Sequence, residues 1–352
     1  MIRSILPRLL AHRELWTRVL PLTAGVLLAG VAASYVQHGF LIGGTRGVPL
    51  AGPDCQAELW QLLLLGFTAG YGMALVGGAT GLVSLPVNLS LFGFTTVSVS
   101  PTVQLETFLN PFGALLGFRR QGQWNLDFAL PLCAGAAVGA LAGPFIRIFW
   151  LSDPAPFKAA VGVALLFVAS QMLSRLRPQP TAAADPRSPP TSARAMRIHT
   201  VSRGWTYLAI DYGEGSRRLS IPRLVLLGAG VGVVGTTLGV GGGFLLVPVL
   251  AEYYRLPMRV IVAASIPFVI VLSGAGLLTF NLGVPLVTGQ RVPTEWAWGC
   301  FTGGGAILGS WCATHSQHHV PDWALRLLLG LSNGAVGTVY VLDFVGVAPL
   351  RL

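Results

Sequence analysis

Long stretches almost free of charged side chains run through most of the chain. They cover residues 19–36, 59–92, 97–118, 127–150, 156–176, 222–254, 260–282, 295–314 and 322–345. Asp, Glu, Lys and Arg make up 10% of the sequence, whereas a soluble domain carries roughly 25%. An apolar segment of about 20 residues is long enough to cross a bilayer as a helix. The sequence therefore predicts an all-α polytopic membrane protein.

Two halves of the chain repeat one pattern, in which a glycine-rich segment is followed by a proline. The first half has Gly77, Gly78, Thr80, Gly81 and Pro86, and the second has Gly239, Gly241, Gly242, Gly243 and Pro248. The spacing from Gly81 to Pro86 is the same as that from Gly243 to Pro248. Several matches in one order indicate an internal duplication, which is the usual construction of secondary transporters.

The arginine distribution predicts the orientation of the chain. Arginines cluster before the first apolar stretch and again between residues 177 and 223. Both segments should be cytoplasmic, because arginine-rich flanks of spans stay on that side. The first span then ends in an outer loop, so an odd number of crossings must lie between residues 58 and 177. The four apolar stretches there would give an even number, and the conflict disappears if residues 59–93 form a re-entrant hairpin that is broken at its glycines. Residues 222–256 are predicted to form a second hairpin of the same kind. The prediction is two inverted repeats, each a hairpin plus three spans, with one extra N-terminal span.

Four segments follow from this prediction. Residues 1–58 would hold the N-terminal transmembrane helix and an outer loop, and residues 59–176 the first repeat. Residues 177–221 would be a cytoplasmic linker that ends in a small β-hairpin, because apolar and polar residues alternate around Gly213 and Gly215. Residues 222–352 would form the second repeat. The first apolar stretch is long for a signal peptide and lacks a clear cleavage site, so we expect it to be retained.

The two glycine segments are the strongest candidates for a ligand site. Lipid cannot satisfy free backbone groups, so a helix breaks at depth only against protein or a wet cavity. The N–H groups at the start of the next helix, together with the helix dipole, favour an anion. Two breaks in inverted repeats would meet near the midplane. The alternative is that these glycines only permit close helix packing.

Glu106 is the only charged residue between Leu59 and Phe118. An ionisable residue at such depth is costly and by default indicates a functional site, so Glu106 is the candidate for proton coupling. The alternative is a protonated acid bonded to a neighbouring carbonyl. Polar neighbours in the sequence that would complete an anion site are Gln104, Asn110, Ser265 and Ser273.

Other charged and metal-binding patterns carry less weight. Arg119 and Arg147 lie near predicted span ends, where we expect their side chains to snorkel to the interface. His315, His318 and His319 lack a suitably spaced carboxylate, so we expect no metal site. A G-x-G-x-x-G match at residues 230–235 lies in an apolar helix rather than after a strand, so a nucleotide cofactor is not expected. Nucleic acid is not an expected partner.

The duplicated glycine–proline segments, their position at the head of each half and the basic middle loop resemble the TauE/SafE family. This is the sulfite exporter branch of the 4-toluene sulfonate uptake permeases. The second motif, Leu238–Pro248, is the more typical one, whereas Ala79 and Thr80 replace glycine-rich positions in the first. The resemblance implies an inner-membrane carrier for sulfite, sulfoacetate or other organosulfonates.

These inferences predict a secondary transporter, not an enzyme, that exports a small sulfur-containing anion by alternating access. A proton or the membrane potential would drive it, because no ATPase motif is present. An anion channel, or a carrier for a different solute with the same architecture, is the alternative. Membrane lipid is an expected partner, and a homodimer is left open beside the monomer.

Overall fold

The computed structural model describes residues 12–39, 41, 57–76, 80–118, 126–174, 199–204, 206–211, 216–254, 256, 258–316 and 322–346. Helices account for most of them. The first half contains α1 (Leu20–His38), α2 (Leu59–Val76), α3 (Gly81–Ser90), α4 (Val99–Phe118), α5 (Leu126–Phe149) and α6 (Pro154–Ser174). The second half contains α7 (Ile221–Leu238), α8 (Gly243–Glu252), α9 (Met258–Leu278), α10 (Val284–Thr288), α11 (Trp296–Ser316) and α12 (Asp322–Val345).

Six helices in the described part of the chain are long and apolar enough to cross a membrane, by length and composition. They are Leu15–His38, Leu126–Phe149, Pro154–Ser174, Ile221–Leu238, Ala264–Thr288 and Arg326–Val345. The first joins the π-helix Leu15–Val19 to α1, and the fifth joins most of α9 to α10 through the π-helix Thr279–Gly283. Large apolar side chains such as Leu28, Leu226 and Leu286 are exposed on their outer faces, which suits contact with lipid. The prediction of a helical membrane protein is confirmed.

The set of spanning helices differs from the predicted seven. Ile221–Leu238, predicted as one arm of a hairpin, is long and apolar enough to span alone. Two predicted spans, α4 and α11, form helices of 20 and 21 residues but are absent from the six apolar ones. The physical reason is that both carry buried polar side chains: Gln104, Glu106 and Asn110 in α4, and Thr302, Ser310 and Thr314 in α11.

Glycines allow α2 to pack closely on α11 and α5 to pack closely on α7, so each pair joins the two halves of the chain. Gly66 and Gly70 of α2 abut the backbone of Thr302 and Ala306 of α11. Gly135 and Gly139 of α5 likewise abut Val225 and Ala229 of α7. Residue numbers rise together in both pairs, so α2 is parallel to α11 and α5 is parallel to α7. Small residues at such positions let helix backbones approach within direct contact.

Helix α4 fixes the relative directions of the other helices. Leu105 and Leu109 pack on Gly299 and Gly303 of α11, so α4 runs parallel to α11 and therefore to α2. The chain must turn back between α2 and α4, and α3 with residues 91–98 provides that return.

Helices α7 and α9 run against α4. Ser100, at the start of α4, meets Gly239 just after the end of α7. One turn further along α4, the Gln104 side chain lies beside Gly276 of α9, and Thr236 of α7 lies beside the same glycine. Phe108, one turn further still, packs on Gly274 of α9. Both α7 and α9 therefore lie antiparallel to α4, with the short helix α8 between them.

Helix α1 is tied to the start of α11. The Gln37 amide donates to the Thr294 carbonyl at 2.8 Å and accepts from the Trp296 N–H at 3.1 Å. His38 Nε2 and a carboxyl oxygen of Glu295 lie at hydrogen-bond distance, 3.0 Å apart. These contacts put the end of α1 and the start of α11 at the same side of the helix bundle.

A small antiparallel sheet precedes α7. Its strands are β1 (His199–Arg203), β2 (Tyr207–Asp211) and β3 (Ser216–Ser220), in the order β1-β2-β3. Strands β2 and β3 form the hairpin, and β1 adds a strand that the sequence pattern did not predict. Leu208, Ile210 and Leu219 are buried in one apolar cluster with residues of α5, α7 and α9, so the sheet packs directly on the helices.

We expect Gly305→Ala to destabilise the protein, because its added methyl would clash with the Leu63 carbonyl of α2. Overpacking of this kind costs about 1–3 kcal/mol. Gly230→Ala is the matched control, since nothing lies within 4 Å of the new methyl. The control should gain roughly 0.4–1 kcal/mol from reduced chain entropy. Thermal unfolding in detergent measures both, and equal melting temperatures would contradict this packing.

Candidate functional site

The second glycine segment interrupts the chain between α7 and α8. Gly239 ends α7 with φ +74°, a left-handed conformation that glycine adopts without steric cost. The N–H groups of Gly239 and Val240 bond back to carbonyls of α7, while those of Leu245 and Leu246 bond to the Gly242 carbonyl. Within the described part of the chain, the N–H groups of residues 241–244 are left without a backbone acceptor. They are the orphan donors of a helix start.

The first glycine segment lies against the second. A side chain at Gly81 would come within 2.6 Å of the Val240 Cα and 2.7 Å of its carbonyl oxygen. Thr80 is fully buried, and its hydroxyl lies 3.4 Å from that of Thr107 on α4. Gly77 and Gly78 lie outside the described residues. The start of α3 is therefore in direct backbone contact with the segment between α7 and α8.

Glu106 faces α3 and α11. The hydroxyls of Ser84 and Thr302 are beside its carboxyl group. Each hydroxyl donates its proton within its own helix, to the Thr80 carbonyl at 3.2 Å and to the Trp298 carbonyl at 3.0 Å. Neither carboxyl oxygen receives a hydrogen bond from a described residue. Both hydroxyls can rotate, so each can accept a hydrogen bond from a protonated Glu106 or donate one to its carboxylate.

Gln104 faces the other way, towards α7 and α9. Its amide lies against Gly276, beside Thr236, and neither of its polar atoms has a hydrogen-bond partner among the described residues. Ser273, one turn before Gly276 on the same face of α9, is fully buried, and its Oγ also lacks a partner there. Gln104 and Ser273 thus leave unused hydrogen-bonding groups at the interface of α4 and α9.

The predicted site residues therefore form two groups. Residues two apart on a helix point in nearly opposite directions, so Gln104 and Glu106 do not share a surface. Asn110 lies one turn after Glu106, and its backbone carbonyl accepts the Ser310 hydroxyl at 3.0 Å. Ser265 lies about three helical turns before Gly276 and is not brought beside Gln104.

Arg147 is where the structure departs most from the sequence prediction. It was expected to snorkel to the interface, but its side chain is 0% exposed. Its Nε donates to the Ser100 Oγ at 3.0 Å, and its guanidinium carbon lies 3.7 Å from the centre of the Phe157 ring. The missed signal was its position one turn after Gly143, on the face of α5 that packs against α7. Arg119, His318 and His319 lie outside the described residues.

The fold and the polar groups inside it define a polytopic helical membrane protein with buried, unpartnered hydrogen-bonding side chains between its helices. A family model described as sulfite exporter TauE/SafE matches residues 62–340. The chain belongs to this family of membrane transporters, which confirms the resemblance drawn from the glycine motifs. No curated protein and no solved structure matches the chain.

Proposed function

We propose that this protein is a secondary transporter that exports a small sulfur-containing anion, such as sulfite or an organosulfonate, by alternating access. The observation that carries the proposal is the backbone contact of Gly81 with Val240, which joins the two glycine segments at one place. Helix starts on both sides of this contact offer backbone N–H groups, and such groups bind oxyanions. Membership of a transporter family supports the same function.

Two inverted repeats are part of this proposal. Helices α2 and α4 run in one direction, whereas their counterparts α7 and α9 run in the other. In each half, a helix of 18 residues is followed by a glycine segment and a helix of 10 residues. Repeats of opposite direction around a shared site are the usual frame for alternating access.

The arginine clusters support an orientation in the inner membrane. With the N-terminus and residues 177–221 in the cytoplasm, the end of α1 and the start of α11 lie on the outer side, where His38 meets Glu295.

The proposed anion site combines backbone and side-chain donors. The residues inferred for it are Gly77, Gly78, Thr80, Gly81, Gln104, Asn110, Gly239, Gly241, Gly242, Gly243, Ser265 and Ser273. Of these, Asn110 lies on the Glu106 side of α4, and Ser265 lies away from Gln104. Gln104 and Ser273 have the strongest support, because the Gln104 Nε2 and the Ser273 Oγ are buried donors that no described residue satisfies, whereas the unsatisfied atom of Asn110 is its Oδ1 acceptor. A sulfonate or sulfite oxygen could accept from either side chain. Glu106 would exchange a proton in the adjacent pocket of α3 and α11.

Purified protein in liposomes tests the function. We expect saturable efflux of isotopically labelled sulfite that is accelerated by unlabelled sulfite or sulfoacetate on the opposite side. Such counterflow requires one site that alternates between the two faces. A flux that rises linearly with concentration and shows no counterflow would favour the anion channel. Empty liposomes are the control for leakage.

A further inference from the structure

The guanidinium of Arg147 is a buried cation for which the described residues supply no anion. Its two Nη atoms have no hydrogen-bond partner, and no carboxylate of the described chain lies within ion-pair distance. The Nε bond to Ser100 and the stacking on Phe157 satisfy one of its five N–H groups and one face. Charged side chains at membrane depth are costly unless paired, and they mark sites of function.

The contacts of Arg147 also fix which part of the group is available. Ser100 occupies the Nε edge and Phe157 covers one face, so the two terminal nitrogens remain free. A planar guanidinium with both terminal nitrogens free matches an oxyanion through two parallel hydrogen bonds. Stacking on an aromatic ring holds the plane of the group in place.

Arg147 is linked to the second glycine segment through Ser100. The backbone of Ser100 is the surface that Gly239 contacts, with 2.7 Å from a side chain at Gly239 to the Ser100 Cα. The orphan N–H groups that follow Gly239 are therefore near a residue that holds the guanidinium. The start of a helix carries a partial positive charge and the arginine carries a full one, so both would attract an anion.

A cavity of about 570 Å³ adjoins this region. Its lining includes Ile148, which follows Arg147, and Ser98, two residues before Ser100. Ser152 and Arg291 from the neighbouring loops add polar groups. These loops follow α5 and α10, on the side of the bundle where α11 begins. This recess gives a small anion a polar entry at the end of α5, although Arg147 itself is not among the residues that line it.

We propose that Arg147 binds a small oxyanion through its two terminal nitrogens, and that Ser100 is the positioning residue that holds the guanidinium. The identity of the anion as sulfite or a sulfonate rests on the proposed function. The site is separate from the Glu106 pocket and was not among the residues inferred from sequence. The same donors could take the phosphate of an anionic lipid, so the experiment separates the two sources.

Anion binding to protein in an uncharged maltoside detergent tests the site. Sulfite, sulfate and sulfoacetate are added in turn, and the melting temperature and the heat of binding are measured. We expect Arg147→Gln to weaken anion binding by at least about tenfold and Arg147→Lys by a smaller factor, since lysine lacks the fork. Ser100→Ala should weaken it by roughly threefold without removing any charge. Arg217→Gln, at an exposed arginine of β3, is the matched control.

A second readout separates binding from a structural role. Because the anion-free protein buries an unpaired cation, Arg147→Gln should melt at the same or a higher temperature than the parent without anion. Loss of the anion effect together with a retained or raised melting temperature supports the site. Should Arg147→Gln fail to fold, Ser100→Ala and Arg147→Lys give the answer from their affinities.

Three outcomes of the binding measurements overturn the proposal. These are anion affinities within twofold for the parent and the Arg147 variants, no anion effect on the parent, and an effect from phosphatidylglycerol but from no free anion. Sulfite flux that Arg147→Gln leaves unchanged would overturn this site and leave the proposed function standing. Anion binding that depends on Arg147 in a protein without sulfur-anion flux would do the reverse.

Discussion

Replacing Gly81 by alanine should abolish most of the sulfite flux while the protein still inserts and folds. The added methyl would lie 2.6 Å from the Val240 Cα and 2.7 Å from its carbonyl oxygen. Backbone atoms cannot rotate away as a side chain would, so the two glycine segments must separate. An overpacking cost of about 1–3 kcal/mol shifts a conformational equilibrium by roughly 5- to 150-fold. We therefore expect flux to fall by at least about fivefold. Counterflow in liposomes measures it.

Gly72→Ala is the matched control for this experiment. Gly72 is also buried, in the neighbouring helix α2, but its nearest contact to an added methyl is 3.8 Å, at the end of the Leu329 side chain. Its flux should stay within about twofold of the parent, because ordinary van der Waals contact replaces a clash. If Gly81→Ala transports as well as Gly72→Ala, the contact of the two glycine segments is not the transport site.

Glu106→Gln should abolish pH-driven accumulation of sulfite and preserve sulfite counterflow. Glutamine has the shape of glutamic acid and can donate to the free lone pairs of Ser84 or Thr302, as a protonated acid would. It cannot release a proton. Transport steps that need only the anion should therefore continue, whereas the step that depends on proton exchange should stop. We expect accumulation under a pH gradient to fall by at least about tenfold, with counterflow within about threefold.

Asp343→Asn provides the control for removal of one carboxylate, because Asp343 is exposed at the end of α12. It should leave both accumulation and counterflow unchanged. A Glu106→Gln protein that still accumulates sulfite with the pH dependence of the parent would show that Glu106 does not couple a proton. Loss of both activities with a normal melting temperature would assign Glu106 to anion passage instead.

Much of the fold follows from charge placement and glycine pattern. The scarcity of charge predicted membrane helices, and the paired motifs before Pro86 and Pro248 identified the family. Those signals are local in sequence, because they depend on the solvent around a segment and on backbone breaks within it. The number of spans was harder to predict from the sequence, because α4 and α11 carry polar side chains that only neighbouring helices can bury.

Side-chain direction was the main limit for the candidate site. Gln104 and Glu106 were grouped by proximity in the sequence, although two residues on a helix differ by about 200°. Arg147 was placed at the interface because arginines near span ends usually reach water. Its burial depends on Ser100, 47 residues away in the chain, and on Phe157 of α6. A pattern within one helix does not contain those contacts.

Helices of the first half pack on helices of the second half, so the order of synthesis sets when the protein can finish folding. Helix α7 is made relatively soon after its partner α5, since the bond from Thr237 to Gly143 spans 94 residues. Helices α2 and α3 must wait for α11: Gly66 of α2 meets Thr302 of α11, and the bond from Trp298 to Asn88 of α3 spans 210 residues. At a synthesis rate of about 5–20 residues per second, that delay is on the order of tens of seconds. Until α11 is made, the glycine face of α2 lacks the helix against which Gly66 and Gly70 pack in the folded protein.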